Sequence, residues 1–282
     1  MLGTGKMGGA IARRVEAQGH ALHLWNRSRA RAEDLGFGTV HATPAEAASA
    51  ADVVLSSLTG PEAVRDVYLG EDGALEAAAP GRVYVDLSTV NPEVHEEVAR
   101  TAERRGARFV EAPVSGSVPA VESGKLLVLA AGDADAIDSV RPVLETLGEV
   151  RHVGPLGTGS RLKLVVNCYL GITHAAAAEL LAAASSIGLD PAIVFPVLVR
   201  FVPALEVRRR GFLEHRHEPT MFAVKDLTKD LRLALEQYGR ADAQTPITRT
   251  TLDLYSRTEA TLADADIPAV AEIFAPGGTA AR

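Results

Sequence analysis

Lys163 and Asn167 are the residues of this chain whose types and spacing best suit proton chemistry. They stand four apart in "SRLKLVVN", which puts both side chains on one face of a helix. Leu162, Leu164, Val165 and Val166 surround them. A lysine in such an apolar stretch either snorkels its ammonium to water or is held in a site that tunes its pKa. In the second case it can give a proton to, or take one from, a reacting oxygen. A different chemistry is written in the opening "MLGTGKMGGA", where Gly3, Gly5 and Gly8 have the G-x-G-x-x-G spacing of a dinucleotide loop. Gly3 permits a tight turn, Gly5 lets the backbone approach a pyrophosphate, and Gly8 allows close helix–strand packing. The helical pattern that follows, "GGAIARRVEAQG" (8–19), would turn free N–H groups toward phosphate oxygens, with Lys6 and Met7 of the loop also expected at the cofactor.

The residues after the next strand indicate which nicotinamide cofactor such a loop takes. NAD-selective sites usually carry Asp or Glu there, accepting bonds from the ribose hydroxyls. Here stand Asn26, Arg27 and Ser28. An acidic residue would repel a 2′-phosphate, whereas Arg27 with a hydroxyl beside it can bind one through charge-assisted bonds. The sequence therefore predicts NADP(H).

These residues need a scaffold, and the first half supplies one. Short apolar runs at 21–26, 52–58, 82–88, 108–114 and 126–132 read as strands, most of them apolar enough to be buried on both faces. Helix signals lie between them. "TPAE" at 43–46 is a capping box with Pro44 at the first position; Asn91 and Pro92 open a helix that Gly106 closes; "DADAIDSVRPVLETLG" starts acidic and ends on Gly148. Strand and helix in alternation predict a parallel, doubly wound sheet of Rossmann type. From Thr158 to Ile187 one long helix is expected, with Gly171 as its weak point, and after it only helices. This gives an NADP-binding domain over 1–156 and an all-helical substrate and oligomerisation domain over 157–282, joined by the long helix. The tail "APGGTAAR" is small and polar enough to fray. One piece is missing: only Met1 and Leu2 precede Gly3, where a central buried strand should feed the loop. Loss of that strand would leave ladder groups unpaired. The expectation is a natural start upstream, Met1 being a misassigned initiator or a trimmed end.

Three further stretches fall just past strand ends, where ligands bind in open α/β sheets: "DLSTVNPE" (86–93), "EAPVSGSVPAVESGKL" (111–126) and "GTGSRLKLVVN" (157–167). With "GTGKMGGAIA" before them and "KDLTKDL" (225–231) after, these motifs resemble, in order and over nearly the whole chain, the β-hydroxyacid dehydrogenase family. That group includes 3-hydroxyisobutyrate dehydrogenase and the glyoxylate/succinic semialdehyde reductases. The resemblance implies that Lys163 is the general acid/base and that Asn167 helps hold the substrate beside it. It implies that Ser115 and Gly116 grip a substrate carboxylate, with Ser117 in the same loop. It further implies that Leu58, Thr59, Thr89 and Lys225 contact the cofactor. The chain departs from the family pattern at Ser117 and Pro119, where glycines are usual, and at Thr59, where proline is. Pro119 stiffens the loop and removes an N–H, so the acid bound need not be the family's commonest one. Imine reductases share fold and glycine loop but carry Asp or Tyr at the position of Lys163. 6-Phosphogluconate dehydrogenase has a His where this chain has Val166. A non-catalytic NADP-binding assembly protein would have no need of Lys163, Asn167 and Ser115 together.

The totals narrow the partners. Net charge is −7 and aromatics are 5%, which speaks against nucleic acid and base-stacking platforms. Cys168 is the single cysteine, which excludes a disulfide framework, and it reads as a buried structural thiol. No metal ligand set is apparent: His215 and His217 read as a solvated helix end, His174 as ordinary packing, and "RRRGFLEHRH" (208–217) as wet surface. No apolar run is expected to span a bilayer, which takes about 20 residues. The default is a cytoplasmic homodimer or homotetramer acting on a small carbonyl compound that bears a carboxylate.

Overall fold

The computed structural model describes residues 1–275; the segment 276–282, which holds nearly all of the tail expected to fray, lies outside the described residues. The described chain forms two compact units, the first Met1–Lys163 and the second beginning at Leu164. The division falls within the long helix, where composition had suggested 156/157.

The first unit alternates strands and helices in the order α1 (Lys6–Ala17), β1 (His23–Leu24), α2 (Arg29–Glu33), β2 (Thr39–Val40), α3 (Pro44–Ser49), β3 (Val53–Ser56), α4 (Pro61–Leu69), β4 (Val83–Asp86), α5 (Pro92–Arg104), β5 (Arg108–Glu111), β6 (Val114–Ser115), α6 (Val118–Glu122), β7 (Leu126–Ala131), α7 (Ala134–Glu145) and β8 (Gly148–Gly154). Local chemistry explains the helix starts. Thr43 Oγ1 accepts from Glu46 N while Glu46 Oε2 accepts from Ala42 N, a reciprocal cap. Asp133 accepts from Ala136 N at the head of α7. Strands β3, β4 and β5 are parallel neighbours. Along β4 the side chains alternate: Val83 and Val85 join the core under α1 and α7, and Tyr84 joins the core under α3, α4 and α5. Helices on both faces of the sheet make it doubly wound. The parallel order ends at β5, because the chain doubles back through β6 and α6; β7 then pairs antiparallel with both β5 and β6, and β8 returns parallel to β7. Neither β2 nor β8 was among the expected strands.

The strand before the glycine loop is reduced to a single bridging residue. Leu2 pairs in parallel with Trp25 on one side and Ser56 on the other, joining the β1–β2 pair to the larger sheet. Every polar group of this stub is used: Leu2 N donates to Leu55 O, Ser57 N to Leu2 O, Gly3 N to Trp25 O and Trp25 N to Met1 O. The Met1 amino group donates to His23 O at 2.6 Å. Met1 and Leu2 thus take up the ladder positions nearest the loop. Ahead of them lies a cleft of about 440 Å³ lined by Met1, His20–His23 and Ser49–Val53. The amino group is buried, and loss of water pulls its pKa down to about 5.

The second unit is helical: the rest of α8 (Thr158–Ser186), α9 (Pro191–Phe201), α10 (Arg209–Glu214), α11 (Val224–Arg240) and α12 (Pro246–Leu262). Helix α8 runs unbroken for 29 residues, about 43 Å at ~1.5 Å per residue. Gly171 does not interrupt it. A Cβ there would meet Leu227, Leu231 and Thr251 at 3.4–3.6 Å, ordinary contact distances, so the site would also accept a methyl. By length and composition α8 is also apolar enough to cross a membrane, contrary to the sequence expectation. Half of its most apolar stretch is buried within the protein, as in a core helix. His174 is fully buried against Phe212, and Cys168 is a buried thiol to which Tyr238 Oη donates. His215 and His217 are not merely solvated: both reach Glu272 Oε1 at 2.7 Å.

Candidate active site

The glycine loop is built as its spacing implies. At Gly3, with φ +85°, a Cβ would lie 2.3 Å from Ser57 O, and at Gly8 a Cβ would lie 2.1 Å from Gly3 O. At Gly5 a Cβ would meet nothing within 4 Å. The first two glycines are therefore needed by the protein itself, and the third leaves space open. Gly5 is the N-cap of α1, and no side chain caps the helix, so its first N–H groups remain available to an anion. Thr4 Oγ1, buried in the same loop, has no hydrogen-bond partner among the described residues. An open cradle, uncapped amides and an orphaned hydroxyl fit a dinucleotide pyrophosphate. Lys6 is exposed at the helix start, while Met7 packs partly into the core.

Asn26 is engaged within the chain: its Oδ1 accepts from Thr4 N at 2.9 Å and its Nδ2 donates to Ser28 O at 2.9 Å. The amide ties the glycine loop to the end of β1, and Arg27 and Ser28 beside it are both exposed. The loop after β3 adjoins the glycine turn: Leu58 Cδ2 lies 3.0 Å from the Cβ position of Gly3. Thr59 is exposed beside it and Thr89 half-buried after β4. In the third stretch Ser115 ends β6 and Gly116 takes φ +139°. Ser117 is the N-cap of α6, with Pro119 in its first turn. There the missing proline N–H breaks no ladder.

A buried polar network, absent from the sequence reading, joins these loops. Asp86 ends β4, Glu111 ends β5, and His95 sits on the apolar side of α5; all three are fully buried. His95 Nε2 lies 2.7 Å from Asp86 Oδ2, and Nδ1 lies 2.9 Å from Glu111 Oε2 and 2.8 Å from Ser160 Oγ. Ser160 Oγ donates to Glu111 Oε2 and Gly159 N to Glu111 Oε1. Asp86 Oδ1 accepts from Ser56 Oγ and Ser88 Oγ, both at 2.6 Å. Ser88 Oγ in turn accepts from Leu58 N, and Tyr68 Oη meets Ser56 Oγ. Burial alone would lower the His95 pKa, but bonds to the two carboxylates outweigh it and raise it to about 9. The imidazolium partly neutralises two anions that could not be buried unpaired. Signals for this network did exist: an acid closing each of two apolar strands, and a histidine among Val94, Val98 and Ala99.

Helix α8 begins on this network. Lys163, half-buried, lies one turn beyond Ser160, and Asn167 follows one turn later, buried. In the second unit Asn167 Nδ2 donates to Asp230 Oδ2 at 2.6 Å, and Asp230 pairs with Lys229 at 2.8 Å. Since a carboxylate only accepts, the amide orientation of Asn167 is fixed. Lys225, an expected cofactor contact, is exposed and pairs with Asp264. It is the second Lys-Asp pair of "KDLTKDL" that reaches Asn167.

Two buried histidines set opposite pH dependences. His174, lowered to about 3 by burial and by nearby Arg208, binds protons more weakly when folded, so its contribution is present above the unfolded value of about 6.5 and fades as pH falls below it. His95 is the opposite case: its contribution is complete below about 6.5 and is lost as pH rises through about 9. Stability is expected to rise between pH 5 and 6.5 by roughly 2 kcal/mol and to fall from there toward pH 9. Melting curves across pH 5–9 check this; a maximum below pH 6 would contradict the assignment.

Residues 1–158 match the family model described as the NAD binding domain of 6-phosphogluconate dehydrogenase, and residues 157–274 match NAD-binding of NADP-dependent 3-hydroxyisobutyrate dehydrogenase. The chain is 32% identical over 278 residues to glyoxylate/succinic semialdehyde reductase 2, chloroplastic, of Arabidopsis thaliana, covering 96% of this chain and 77% of that protein. It is 32% identical over 266 residues to the cytokine-like nuclear factor N-PAC of Homo sapiens, covering 92% of this chain and 48%, about half, of that relative. Among solved structures, 3-hydroxyisobutyrate dehydrogenase of Mycobacterium tuberculosis with L-serine superposes with a TM-score of 0.87 at 27% identity, covering 98% of each chain. Psf3 in complex with NADP+ and 2-OPP superposes with a TM-score of 0.87 at 28% identity, over 97% of this chain and 99% of that one. A Streptomyces aurantiacus imine reductase, with a TM-score of 0.63 and 24% identity over 98% of each chain, shares the fold. With both family models in sequence along it and a reductase relative matched over 96% of this chain, the chain belongs to the β-hydroxyacid dehydrogenase family of NAD(P)-dependent oxidoreductases.

Proposed function

We propose that the protein is an NADPH-dependent reductase of a small carbonyl compound bearing a carboxylate, a semialdehyde or a glyoxylate-like 2-oxo acid, with Lys163 as general acid. The observation that carries this reading is the setting of Lys163: half-buried, one turn from a helix start bonded to the buried ends of β4 and β5. When bound, the cofactor supplies hydride to the carbonyl carbon. The Lys163 ammonium gives its proton to the oxygen as negative charge develops there, and takes a proton back from alcohol in the reverse direction. Ser115 and the Gly116 N–H hold the substrate carboxylate, so that binding energy away from the reacting carbon orients it. Asn167, its amide fixed by Asp230, holds substrate beside the lysine. Glycines 3, 5 and 8 with Lys6 and Met7 take the pyrophosphate, Arg27 and Ser28 the 2′-phosphate, and Leu58, Thr59 and Thr89 border the nicotinamide half. Exposed Ile187, Ile193, Val197 and Phe201 in the second unit favour a homodimer or homotetramer.

The test is a panel of glyoxylate, succinic, methylmalonate and tartronate semialdehydes and a cyclic imine, each with NADPH and NADH. A carboxylate-bearing carbonyl is expected to turn over and the imine not. NADPH is expected to be preferred, and Arg27→Ala to lower kcat/KM for NADPH by ~10-fold or more while leaving NADH unchanged. Reduction of the imine alone, or equal use of NADH, would refute the corresponding part.

A further inference from the structure

We propose that Asp86, His95 and Glu111 form a clamp that positions Lys163 for proton transfer. The idea rests on the reading of Lys163 as the acid and adds how its place is set. Each carboxylate of the clamp has at least three partners. Asp86 receives His95 and two hydroxyls, and Glu111 receives His95, Ser160 and the Gly159 amide. Besides the branch through Ser56 to Tyr68 on α4, the clamp has two arms toward the candidate site. One arm runs through Ser88 Oγ to Leu58 N, in the loop that borders the glycine turn. The other holds the first turn of α8, from which Lys163 projects. The second arm is built with little tolerance: at Gly159 a Cβ would lie 2.7 Å from Leu129 O and 3.1 Å from Glu111 Oε1. Only glycine lets that amide meet the carboxylate.

Packing alone does not call for such a device. Apolar side chains of similar volume could fill this space with no charge to desolvate. What charged bonds add is direction, because each fixes a distance and an angle. The His95 ring carries its proton at neutral pH, so both nitrogens donate and the two strand ends are held at a set separation. Helix α8 is thereby indexed to the same frame as the loops after β3 and β4. A shift of about 1 Å in a reacting group can cost ~10²-fold in rate, which is the scale at which indexing matters. His95, Glu111 and Ser160 are positioning residues in this scheme, since none needs to touch substrate.

The test uses Ser160→Ala, which cuts the arm to α8 and removes only one hydroxyl, with His95→Gln as a second, more central cut. Amide hydrogen exchange over residues 159–163 is measured alongside kcat per NADPH-binding site, the NADPH dissociation constant and melting. The expected result for Ser160→Ala is exchange faster by about tenfold or more and kcat lower by about tenfold or more. The NADPH constant should stay within about twofold, and melting should remain cooperative. A loosened fold would instead weaken NADPH binding and kcat together. Unchanged exchange in both variants overturns the clamp. Faster exchange with unchanged kcat overturns its role in positioning. If Lys163→Ala also keeps activity, the fault lies in the lysine assignment and not in the clamp alone.

Discussion

Replacing Lys163 by alanine is expected to lower kcat by ~10²–10⁴-fold, the range general acid–base catalysis supplies, with NADPH affinity nearly unchanged. The two effects should separate because the residues proposed to take the pyrophosphate, Gly3 to Gly8, belong to a different loop and helix from Lys163. Lys163 stands on the second turn of α8, where the alanine adds no strain and favours the helix. Melting should therefore move little, and a fall in kcat cannot be ascribed to unfolding. Steady-state kinetics with the best substrate of the panel, paired with NADPH fluorescence titration, measure both quantities. Retained turnover would remove the lysine from the mechanism, and a parallel loss of NADPH binding would move it to the cofactor.

The second large effect concerns the glycine loop, where three alanine substitutions should behave differently. Gly8→Ala places a methyl 2.1 Å from Gly3 O, and Gly3→Ala combines a 2.3 Å contact to Ser57 O with a φ of +85°. Both opposing atoms are backbone and cannot swing aside. Each variant is expected to lose on the order of 3 kcal/mol or more of stability, together with cofactor binding. Gly5→Ala meets nothing within 4 Å and should melt near the parent. Its methyl occupies the space a pyrophosphate needs, so NADPH affinity should fall by ~10-fold or more, equivalent to about 1.4 kcal/mol. Thermal melts with and without NADPH distinguish the three. If Gly5→Ala binds NADPH normally, the pyrophosphate does not sit on this loop.

Features made by neighbours in sequence were legible. The capping box at Thr43, the run of α5 from Pro92 toward Gly106, the 29 residues of α8 and the glycine loop are all set by local steric and hydrogen-bonding preferences. What escaped depends on partners far apart in the chain. Asp86, His95, Glu111 and Ser160 meet only when two strand ends and two helices converge, and each alone reads as an ordinary polar residue. The bond from Thr4 N to the Asn26 amide, 22 positions on, is not readable from spacing. In "KDLTKDL" the two lysines are one helical turn apart, so pattern could not choose between them. Asp264 holds Lys225, and Asp230 brings the second pair to Asn167. The pairing of both His215 and His217 with Glu272, 55 residues away or more, is likewise invisible to spacing. Strand β8 escaped for another reason: its side chains are half-exposed or exposed throughout, so it lacks the apolar run by which buried strands are read.

The single residue that joins the two parts of the sheet has a consequence for how the protein handles its cofactor. Leu2 is the only bridge between the β1–β2 pair and β3 among the described residues, and Gly3 follows it directly. Parting the sheet at that seam would dismantle the glycine turn proposed to take the pyrophosphate. On that reading, bound nucleotide would stabilise the closed seam by mass action, and amide exchange at Leu2, Gly3 and Trp25 is expected to slow when NADPH is added. The nucleotide would then act as the rivet of the sheet it rests on.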